Sequence, residues 1–489
     1  MNLSRTHLKI VFRPNIFVGA LFQILKILKY VSGLKQDAAS ILNRNPDFEM
    51  RSRAGEDVTM DTDRLASVRP FEICSIRPPT ENHSLTFRLI RNCYWNKCGF
   101  CPIYKTGSTF KKRPVAEVKA DITHARMLDD LLAENGIGGS MFTPIIQERA
   151  MSLVKRIDKA KQAAGVKDPP RQTPLDHSTD PRMRWFSSWF IDYPDIADCV
   201  EHLMSWRISG RSNCFLGDAD ALILKPDDIE AVLSHIRENF PHIERFTVYG
   251  RTRTASRNRT VRELAAFKSA GIDRVHFGIE SGSADVLKMV NKGATPEDHI
   301  KGSLKAAEGG LSCSFYIMSG LGGTALSETH AVETARVINQ AAPDYVRIRT
   351  LEIFDGTPLD AMRRKGDFTE ADDDQVVLEI KRLIEEIDVA VALLSDSATN
   401  LLQVNGSLPG DRGRMLATID EYLSMPRRDR IEYSLQSRLA SFAGQYGSLS
   451  EEVLNAIAPA LKDNRLDLGA ASDAALKQMT AFVKSRLMP

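Results

Sequence analysis

The sequence predicts an α/β fold: a partial (β/α)6 barrel of the TIM type, with an N-terminal extension and a C-terminal helical region. One observation is that short apolar or β-branched runs alternate with helical patterns from Ser84 onward. A second is that this alternation gives about six units, which suit a barrel open on one side better than a closed ring. A third is that the predicted strands stop near Arg363. Strand–helix alternation of this kind produces a parallel sheet.

Each predicted element follows from local periodicity. Strands are predicted at residues 85–90, 213–216, 246–249, 274–279, 314–318 and 345–351. Helices are predicted between them at 226–239, 260–270, 284–290 and 328–340, and beyond them at 370–394, 411–423 and 449–487. The long first crossover, residues 103–212, is expected to carry extra helices that cover the barrel. The predicted domains are therefore an N-terminal extension (1–69), a core barrel (70–362) and a C-terminal helical region (363–489).

The extension holds an apolar stretch at residues 15–31, in which Asn15, Gly19, Gln23 and Lys26 recur at helical spacing. This pattern is typical of an amphipathic helix with a wide apolar face. The stretch is shorter than the roughly 20 apolar residues of a membrane span, and lysines interrupt it. We expect it either to make a peripheral membrane contact or to pack on protein. No signal-peptide pattern occurs, and residues 37–69 are polar and predict a linker.

The composition is that of an ordinary globular protein, with 489 residues of which 43% are apolar and 26% charged. The net charge of +2 argues against a nucleic-acid partner, because such binding normally leaves a clear basic excess. Local basic runs such as residues 427–430 are interpreted as solvated surface. Seven cysteines in so long a chain do not form a disulfide framework, and three of them lie within nine residues. This usage predicts a cytoplasmic protein with one metal site.

Cys93, Cys98 and Cys101 follow directly after the first predicted strand. In parallel α/β folds the reactive face lies at that end of the strands. Thiolates are the ligands of iron–sulfur clusters, and three of them on a [4Fe–4S] cluster leave one iron open to a chelating amine and carboxylate. The alternative is a structural zinc site, which would need a distant fourth ligand such as His83 or His124. A non-catalytic binding module stabilised by zinc or by a cluster is therefore the competing interpretation.

This stretch resembles the cluster loop of the radical S-adenosylmethionine (radical SAM) superfamily. The usual family pattern is C-x3-C-x2-C with an aromatic residue before the last cysteine, and Phe100 fills that position. Four residues rather than three separate Cys93 from Cys98, as in a subgroup whose loop reads Cys-x-Trp-Asn-Lys-Cys-x-Phe-Cys. The resemblance spans residues 75–406. It implies that the three cysteines bind a [4Fe–4S] cluster and that Phe100 packs against the adenine of SAM.

Three turns that follow predicted strands carry the rest of the resemblance. The positions are Gly217, Asp218 and Asp220 after the second strand, Glu280 and Ser281 after the fourth, and Gly320 after the fifth. In the family these turns hold, in that order, the amino group of SAM, its ribose and carboxylate, and its adenine. A glycine-rich turn alone is most often only a tight turn. The prediction therefore depends on the order of the three turns along the chain.

Two pairs of arginines have no role that the resemblance implies. Arg251 and Arg253 follow the third strand, where they could clamp a carboxylate or phosphate or make structural ion pairs. Arg347 and Arg349 lie two apart along the sixth strand and share a face that Glu352 does not join. If they face the barrel lumen, their charges must be paired or must bind something charged.

The resemblance implies an enzyme that reductively cleaves SAM to a 5′-deoxyadenosyl radical, which abstracts hydrogen from a substrate. It also implies a reduced flavodoxin or ferredoxin-type electron donor. The sequence has no cobalamin signature and no second cysteine cluster, which disfavours a cobalamin-dependent methylase and an auxiliary-cluster enzyme. Cys74, Cys199, Cys214 and Cys313 are expected in the core. The sequence identifies neither the substrate nor a catalytic residue, and methylation, rearrangement, cyclisation and dehydrogenation all stay open.

Overall fold

The computed structural model describes residues 61–487, except residue 75 and residues 79–80, 105–108, 139–142, 172–182, 185–192 and 463–464. The predicted amphipathic helix at 15–31 and most of the predicted linker lie outside the described residues. The end of that linker is helical, because Thr62–Ser67 forms a short helix capped by the Asp61 carboxylate. The described residues form two compact units, 61–424 and 425–487. Within these ranges, none of the helices has the length and apolar character of a membrane span.

The first unit is built on one eight-stranded sheet. Its strands are β1 (Leu85–Arg88), β2 (Asn213–Gly217), β3 (Arg245–Gly250), β4 (Arg274–Glu280), β5 (Ser312–Ser319), β6 (Tyr345–Thr350), β7 (Val391–Leu394) and β8 (Gly406–Leu408). They pair in that order, and every pair is parallel except β7–β8, which is antiparallel. Among the described residues β1 and β8 do not pair with each other. The predicted α/β fold with a partial barrel is confirmed.

Helices connect the strands and cover the sheet. They are α1 (Thr62–Ser67), α2 (Val115–Glu134), α3 (Pro144–Ala163), α4 (Ile196–Ile208), α5 (Pro226–Asn239), α6 (Val261–Ala270), α7 (Ala284–Met289), α8 (Pro296–Glu308), α9 (Ser327–Ala341), α10 (Pro358–Lys365), α11 (Asp373–Glu386) and α12 (Arg412–Ser424). The long first crossover contains α2, α3 and α4, which confirms the extra helices expected there. α5 has the predicted bounds, and α6 begins one residue after its predicted start, at a capping box between Thr260 and Glu263.

The expectation that strands stop near Arg363 was wrong. The predicted helix at 370–394 ends at Glu386, and its last residues form β7, which extends the parallel sheet beside β6. Buried and part-exposed positions alternate along β7, but a strand of four residues so soon after a helix gives too short a pattern to be recognised. β7 and β8 continue the sheet beyond residue 362. The domain bounds 1–69, 70–362 and 363–489 stay predictions.

The second unit contains α13 (Arg427–Tyr446), α14 (Glu451–Ile457) and α15 (Asp473–Lys484). The prediction of helix throughout residues 449–487 was wrong, because Pro459 and a short two-stranded sheet divide this segment into two helices. The basic run at 427–430 is more than solvated surface. Arg428 there pairs with Asp473 at 2.8 Å and with Glu432 at 2.7 Å, which joins α13 to α15.

The four cysteines outside the cysteine loop are buried, as predicted. Cys74, Cys199 and Cys214 are 0% exposed and Cys313 is 1% exposed. Cys214 and Cys313 lie on β2 and β5, where they pack between the sheet and its helices. The parallel strands all end at the same edge of the sheet, so the turns that follow them are neighbours there.

Candidate active site

The cysteine loop, residues 92–104, begins just past β1 at the carboxyl edge of the sheet. Its middle is anchored by backbone hydrogen bonds, since the Gly99 N–H donates to the Val290 carbonyl at 2.7 Å and the Leu359 N–H donates to the Gly99 carbonyl at 3.0 Å. Cys98 packs with Val290 and Leu359 in one apolar cluster. The loop is therefore held between the end of α7 and the start of α10.

The aromatic position of the loop lies in the same apolar cluster. Phe100 packs with Val286 of α7 and with Leu321, which directly follows Gly320. The Lys292 ammonium lies 5.9 Å from the centroid of the Phe100 ring. The structure thus brings the predicted adenine-packing residue next to the turn that was predicted to lie beside the adenine.

Trp95 ties the loop to the turn after α7. Its indole N–H donates to the Asn291 carbonyl at 2.8 Å, and a Cβ on Gly293 would lie 2.2 Å from the indole ring. The guanidinium carbons of Arg251 and Arg253 lie 5.4 and 5.6 Å from the Trp95 centroid. Both arginines also donate to backbone carbonyls of this turn, at 2.7 and 2.8 Å. Within the described residues neither forms a salt bridge, so they hold the loop through cation–π contacts and hydrogen bonds.

The Cys98 and Cys101 thiols of the loop are mostly protonated in the absence of a ligand. Burial raises the pKa of Cys98 and raises the pKa of Cys101 to about 12. The charges of Lys292 and Arg251 act in the opposite direction on Cys98, because they favour the thiolate. In the described part of the chain, no group of three or more Cys, His, Asp or Glu side chains is placed to hold a metal ion. The donor set fits an iron–sulfur cluster chemically, since one loop offers three thiols beside two cations.

The turn after β2 joins the cysteine loop to the sheet. The Asp218 carboxylate, in a residue only 2% exposed, accepts from the Arg88 Nε at 2.8 Å and from the Asn92 backbone N–H at 3.3 Å. A Cβ on Gly217 would lie 1.9 Å from the Cys74 sulfur. Any side chain at position 217 would therefore clash with Cys74, and glycine allows the two residues to pack closely.

Asp220, in the same turn, is fully buried among hydrogen-bond donors. It accepts from the Arg251 backbone N–H at 3.0 Å and from the Thr254 hydroxyl at 2.5 Å. The Tyr94 hydroxyl lies 3.2 Å from the Thr254 hydroxyl, so this chain of contacts also reaches the cysteine loop. Burial raises the pKa of Asp220 to about 6, although these donors act to lower it.

The turn after β4 is fixed by two side-chain pairs. Glu280, which has a φ of 64°, pairs with the Lys292 ammonium at 2.7 Å. The Ser281 hydroxyl lies 2.8 Å from Nδ1 of His330 on α9. A Cβ on Gly282 would lie 2.3 Å from a backbone carbonyl oxygen of α9. The turn that was predicted to bind the ribose and carboxylate of SAM thus packs closely against α9.

The turn after β5 is held by a buried carboxylate. Glu379 of α11 accepts from the Gly320 backbone N–H and from the Ser327 hydroxyl, both at 2.7 Å. His330 Nε2 lies 3.1 Å from the Met318 carbonyl oxygen and 3.6 Å from a Glu379 oxygen. Since His330 also contacts the turn after β4, it links two of the three predicted SAM turns.

Arg347 and Arg349 lie side by side on β6, as predicted from their spacing. Arg347 is the register partner of Tyr316 on β5, and the guanidinium carbon of Arg349 lies 4.9 Å from the Tyr316 ring centroid. Arg347 pairs with Asp396 at 2.9 Å. The expectation that such charges are paired is confirmed for Arg347.

Lys292, His330 and Glu379 were not identified as functional residues from the sequence. Lys292 lies close to the Glu280 turn in sequence, and this closeness was the one available signal. His330 and Glu379 stand in amphipathic helices, where periodicity does not distinguish a buried polar residue from a solvated one. Their roles depend on which helices cover which turns.

Residues 187–335 match the family model described as the Radical SAM superfamily. These residues, about 30% of the chain, are similar to this superfamily and carry its domain. The match begins before β2 and extends into α9, so it includes all three turns that carried the sequence resemblance. Radical SAM enzymes use a [4Fe–4S] cluster and SAM as cofactors. A radical SAM domain in this chain supports an enzyme, whose reaction the match does not identify.

Individual relatives share only part of the chain. A tRNA uridine(34) acetyltransferase from Methanocaldococcus infernus is 28% identical over 108 residues, which are 22% of this chain and 20% of the relative. The chain therefore spans about a fifth of that relative. An N-terminally truncated Elp3 from the same archaeon shares 19% identity, with 44% of this chain and 55% of that chain covered and a TM-score of 0.33. Coproporphyrinogen III oxidase from Escherichia coli, a radical SAM enzyme, shares 15% identity over 56% of this chain and 78% of that chain, with a TM-score of 0.27. These low scores carry no argument about the substrate.

Proposed function

We propose that Cys93, Cys98 and Cys101 hold the [4Fe–4S] cluster of this enzyme and that SAM lies across the turns after β2, β4 and β5. The observation that carries the proposal is that one loop with three thiols contacts two of these turns, through Asp218 after β2 and through Phe100 beside the turn after β5. When bound and reduced, the cluster supplies the electron that cleaves SAM to the 5′-deoxyadenosyl radical, which abstracts hydrogen from the substrate.

The remaining chain residues position SAM. Phe100 packs on the adenine, and Gly320 leaves room for it beside β5. Glu280 and Ser281 present their turn to the ribose and carboxylate, and the contact of Ser281 with His330 preorganises that turn. Such preorganisation reduces the ordering that SAM binding would otherwise require.

The turn after β2 takes the SAM amino group through its backbone. Asp218 already pairs with Arg88, and Asp220 accepts from Thr254. The Gly217 carbonyl already accepts from the Leu89 N–H and the Asp220 carbonyl from the Ile223 N–H, so the Asp218 and Ala219 carbonyls are the acceptors proposed for the ammonium group. The two carboxylates contribute by holding these carbonyls in place and by adding negative charge.

Anaerobic purification followed by reduction with dithionite tests this proposal. We expect about four irons and four sulfides per chain, and formation of 5′-deoxyadenosine from SAM. Cys98→Ala should lose both. Cys199→Ala is the matched control, because this thiol is buried on α4 beside Phe71 and should be dispensable for both. One zinc without sulfide would instead support the alternative of a non-catalytic binding module.

We further propose a reduced flavodoxin or ferredoxin-type protein as electron donor and a cytoplasmic location. Lys97 in the cysteine loop is exposed, and so are Lys111 and Lys112 in the strand that pairs with Ile90–Arg91. This basic surface beside the loop suits an acidic electron carrier. Lys111→Glu should slow the flavodoxin-driven formation of 5′-deoxyadenosine but leave the dithionite-driven rate unchanged. Equal slowing of both rates would contradict a docking role.

A further inference from the structure

Polar side chains from neighbouring strands meet inside the barrel. Tyr249 of β3, His276 of β4 and Ser314 of β5 are partners in strand register, and Tyr316 lies on the same face of β5 as Ser314. The His276 ring centroid lies 5.9 Å from that of Tyr249 and 5.6 Å from that of Tyr316. Arg347 of β6 is the register partner of Tyr316. We call these five residues, together with Arg349, the lumen cluster.

Several polar atoms here have no hydrogen-bond partner within the described residues. They include both ring nitrogens of His276 and the hydroxyl oxygens of Ser314 and Thr247, all in residues that are 0% exposed. The Nε of Arg347, a residue 4% exposed, also has no hydrogen-bond partner among the described residues. Buried polar groups in native proteins are nearly always hydrogen-bonded. Such a concentration of unsatisfied donors and acceptors indicates a place where a polar ligand binds.

The charges around this place are predominantly positive. Burial lowers the pKa of His276 well below its ordinary value, and the charges of Arg347, Arg274, Arg245 and Arg349 lower it further. Arg347 pairs with Asp396 at 2.9 Å, and Arg245 pairs with Glu81 at 3.0 Å. The guanidinium carbons of Arg274 and Arg349 lie 4.0 and 4.9 Å from the ring centroids of Tyr345 and Tyr316. A neutral imidazole has one N–H to donate. Surrounded by guanidinium groups, this N–H meets an anion most favourably.

Residues of the lumen are more exposed near the carboxyl ends of the strands than at their middle. Tyr249, Met318 and Arg349, which lie toward the carboxyl ends of their strands, are partly exposed, whereas His276 and Ser314 are not. The carboxyl end also carries the loop and the SAM turns. In barrels of this kind, substrates enter from that end.

We propose that the lumen cluster binds the anionic group, a carboxylate or a phosphate, of the enzyme's substrate. Arg347 and Arg349 supply the charge, and His276 and the Tyr316 hydroxyl donate hydrogen bonds. This inference rests on the proposed function, because the bound substrate must extend from the cluster toward the radical formed near the cysteine loop. The anionic end then lies deepest, and the reacting carbon lies near the carboxyl ends of β4 and β5.

The test is anaerobic calorimetric titration of the reconstituted full-length holoenzyme with sodium phosphate and, separately, with sodium acetate at constant ionic strength. We expect saturable binding of one of the two, and the stronger one identifies the anionic group. Arg347→Met should weaken that binding by about tenfold or more, since a charge-assisted hydrogen bond is lost. Tyr316→Phe, which keeps the packing of the ring, should weaken it by a smaller factor and serves if Arg347→Met does not fold.

The matched control is Arg336→Met, which removes an arginine from the surface of α9, where it pairs with Glu333 at 2.8 Å. This variant should bind the anion as the wild type does. The inference is wrong if the wild type binds neither anion saturably, or if Arg347→Met and Tyr316→Phe bind as tightly as Arg336→Met. Formation of 5′-deoxyadenosine is measured on the same wild-type sample. An enzyme that cleaves SAM but binds no anion refutes only this inference, whereas one that does not cleave SAM refutes the proposed function.

Discussion

The turns at the carboxyl edge and the lumen beneath them differ in how their polar groups are satisfied. In the turns, Asp218 pairs with Arg88 and Glu280 pairs with Lys292. In the lumen, His276 is fully buried with neither ring nitrogen bonded to a described residue. A buried polar group with a partner stabilises a fold, whereas one without a partner destabilises it until a ligand binds. The turns are therefore stable without a ligand, whereas a bound ligand would stabilise the lumen more than the turns.

Arg88→Met should give the largest loss of stability in the turns. It leaves Asp218 as a buried carboxylate without its cation, which typically costs about 3–5 kcal/mol of unfolding free energy. Chemical denaturation of the apoprotein measures this cost. Arg336→Met, which breaks a half-exposed pair on α9, should cost no more than about 1 kcal/mol. Equal losses in the two variants would mean that the turn after β2 does not depend on this ion pair.

Asp220 should give the turns a recognisable pH dependence. Its pKa in the folded protein is about 6, above the ordinary value, so the folded protein holds this proton more tightly than the unfolded chain does. The stability that this proton contributes is present at low pH and is lost as the pH rises to about 6. One pKa unit corresponds to about 1.4 kcal/mol, so this proton contributes about 3 kcal/mol to the unfolding free energy.

Comparison with Asp220→Asn isolates this dependence. The difference in unfolding free energy between the wild type and Asp220→Asn should shift in favour of the variant as the pH rises from about 4 to about 6. A difference that stays constant over this range would show that Asp220 titrates as an ordinary carboxyl group.

Gly282→Ala should cost about 1–3 kcal/mol, because its new Cβ meets the backbone of α9 and the helix must shift. Gly413→Ala on α12 is the control, since nothing lies within 4 Å of its added Cβ. Alanine there should be neutral or slightly stabilising. Thermal unfolding of the two variants compares them directly, and a tolerated Gly282→Ala would mean that α9 is not pressed against the turn.

The same substitution in the two regions gives the smallest but sharpest contrast. His276→Phe should be neutral or should stabilise the apoprotein by up to about 1 kcal/mol, because it removes two unsatisfied nitrogens and keeps an aromatic ring. His330→Phe should instead destabilise by about 1–3 kcal/mol, since Ser281 loses its buried partner. Equal effects of the two substitutions would remove the distinction between the turns and the lumen.

The local sequence pattern was sufficient to predict much of the barrel and several of the turns at its carboxyl edge. The strands from β2 to β6 and the helix α5 have strong periodicity, and the cysteine spacing identified a loop that contacts the predicted turns. β7 was missed because it has only four residues and only four residues separate it from the end of α11. Only part of the lumen cluster could be predicted from the sequence. Arg347 and Arg349 were recognised as sharing a face, but single residues such as His276 acquire meaning only when the order of the strands in the sheet is known.

The outermost strands of the open sheet are short. β1 has four residues and β8 has three, and Pro409 directly follows β8. Unpaired backbone groups at the edge of a sheet can recruit strands from other molecules, and short edges with proline limit this. A barrel that leaves a gap in its ring can therefore stay dispersed at high concentration, because neither border of the gap offers a useful template for edge-to-edge growth.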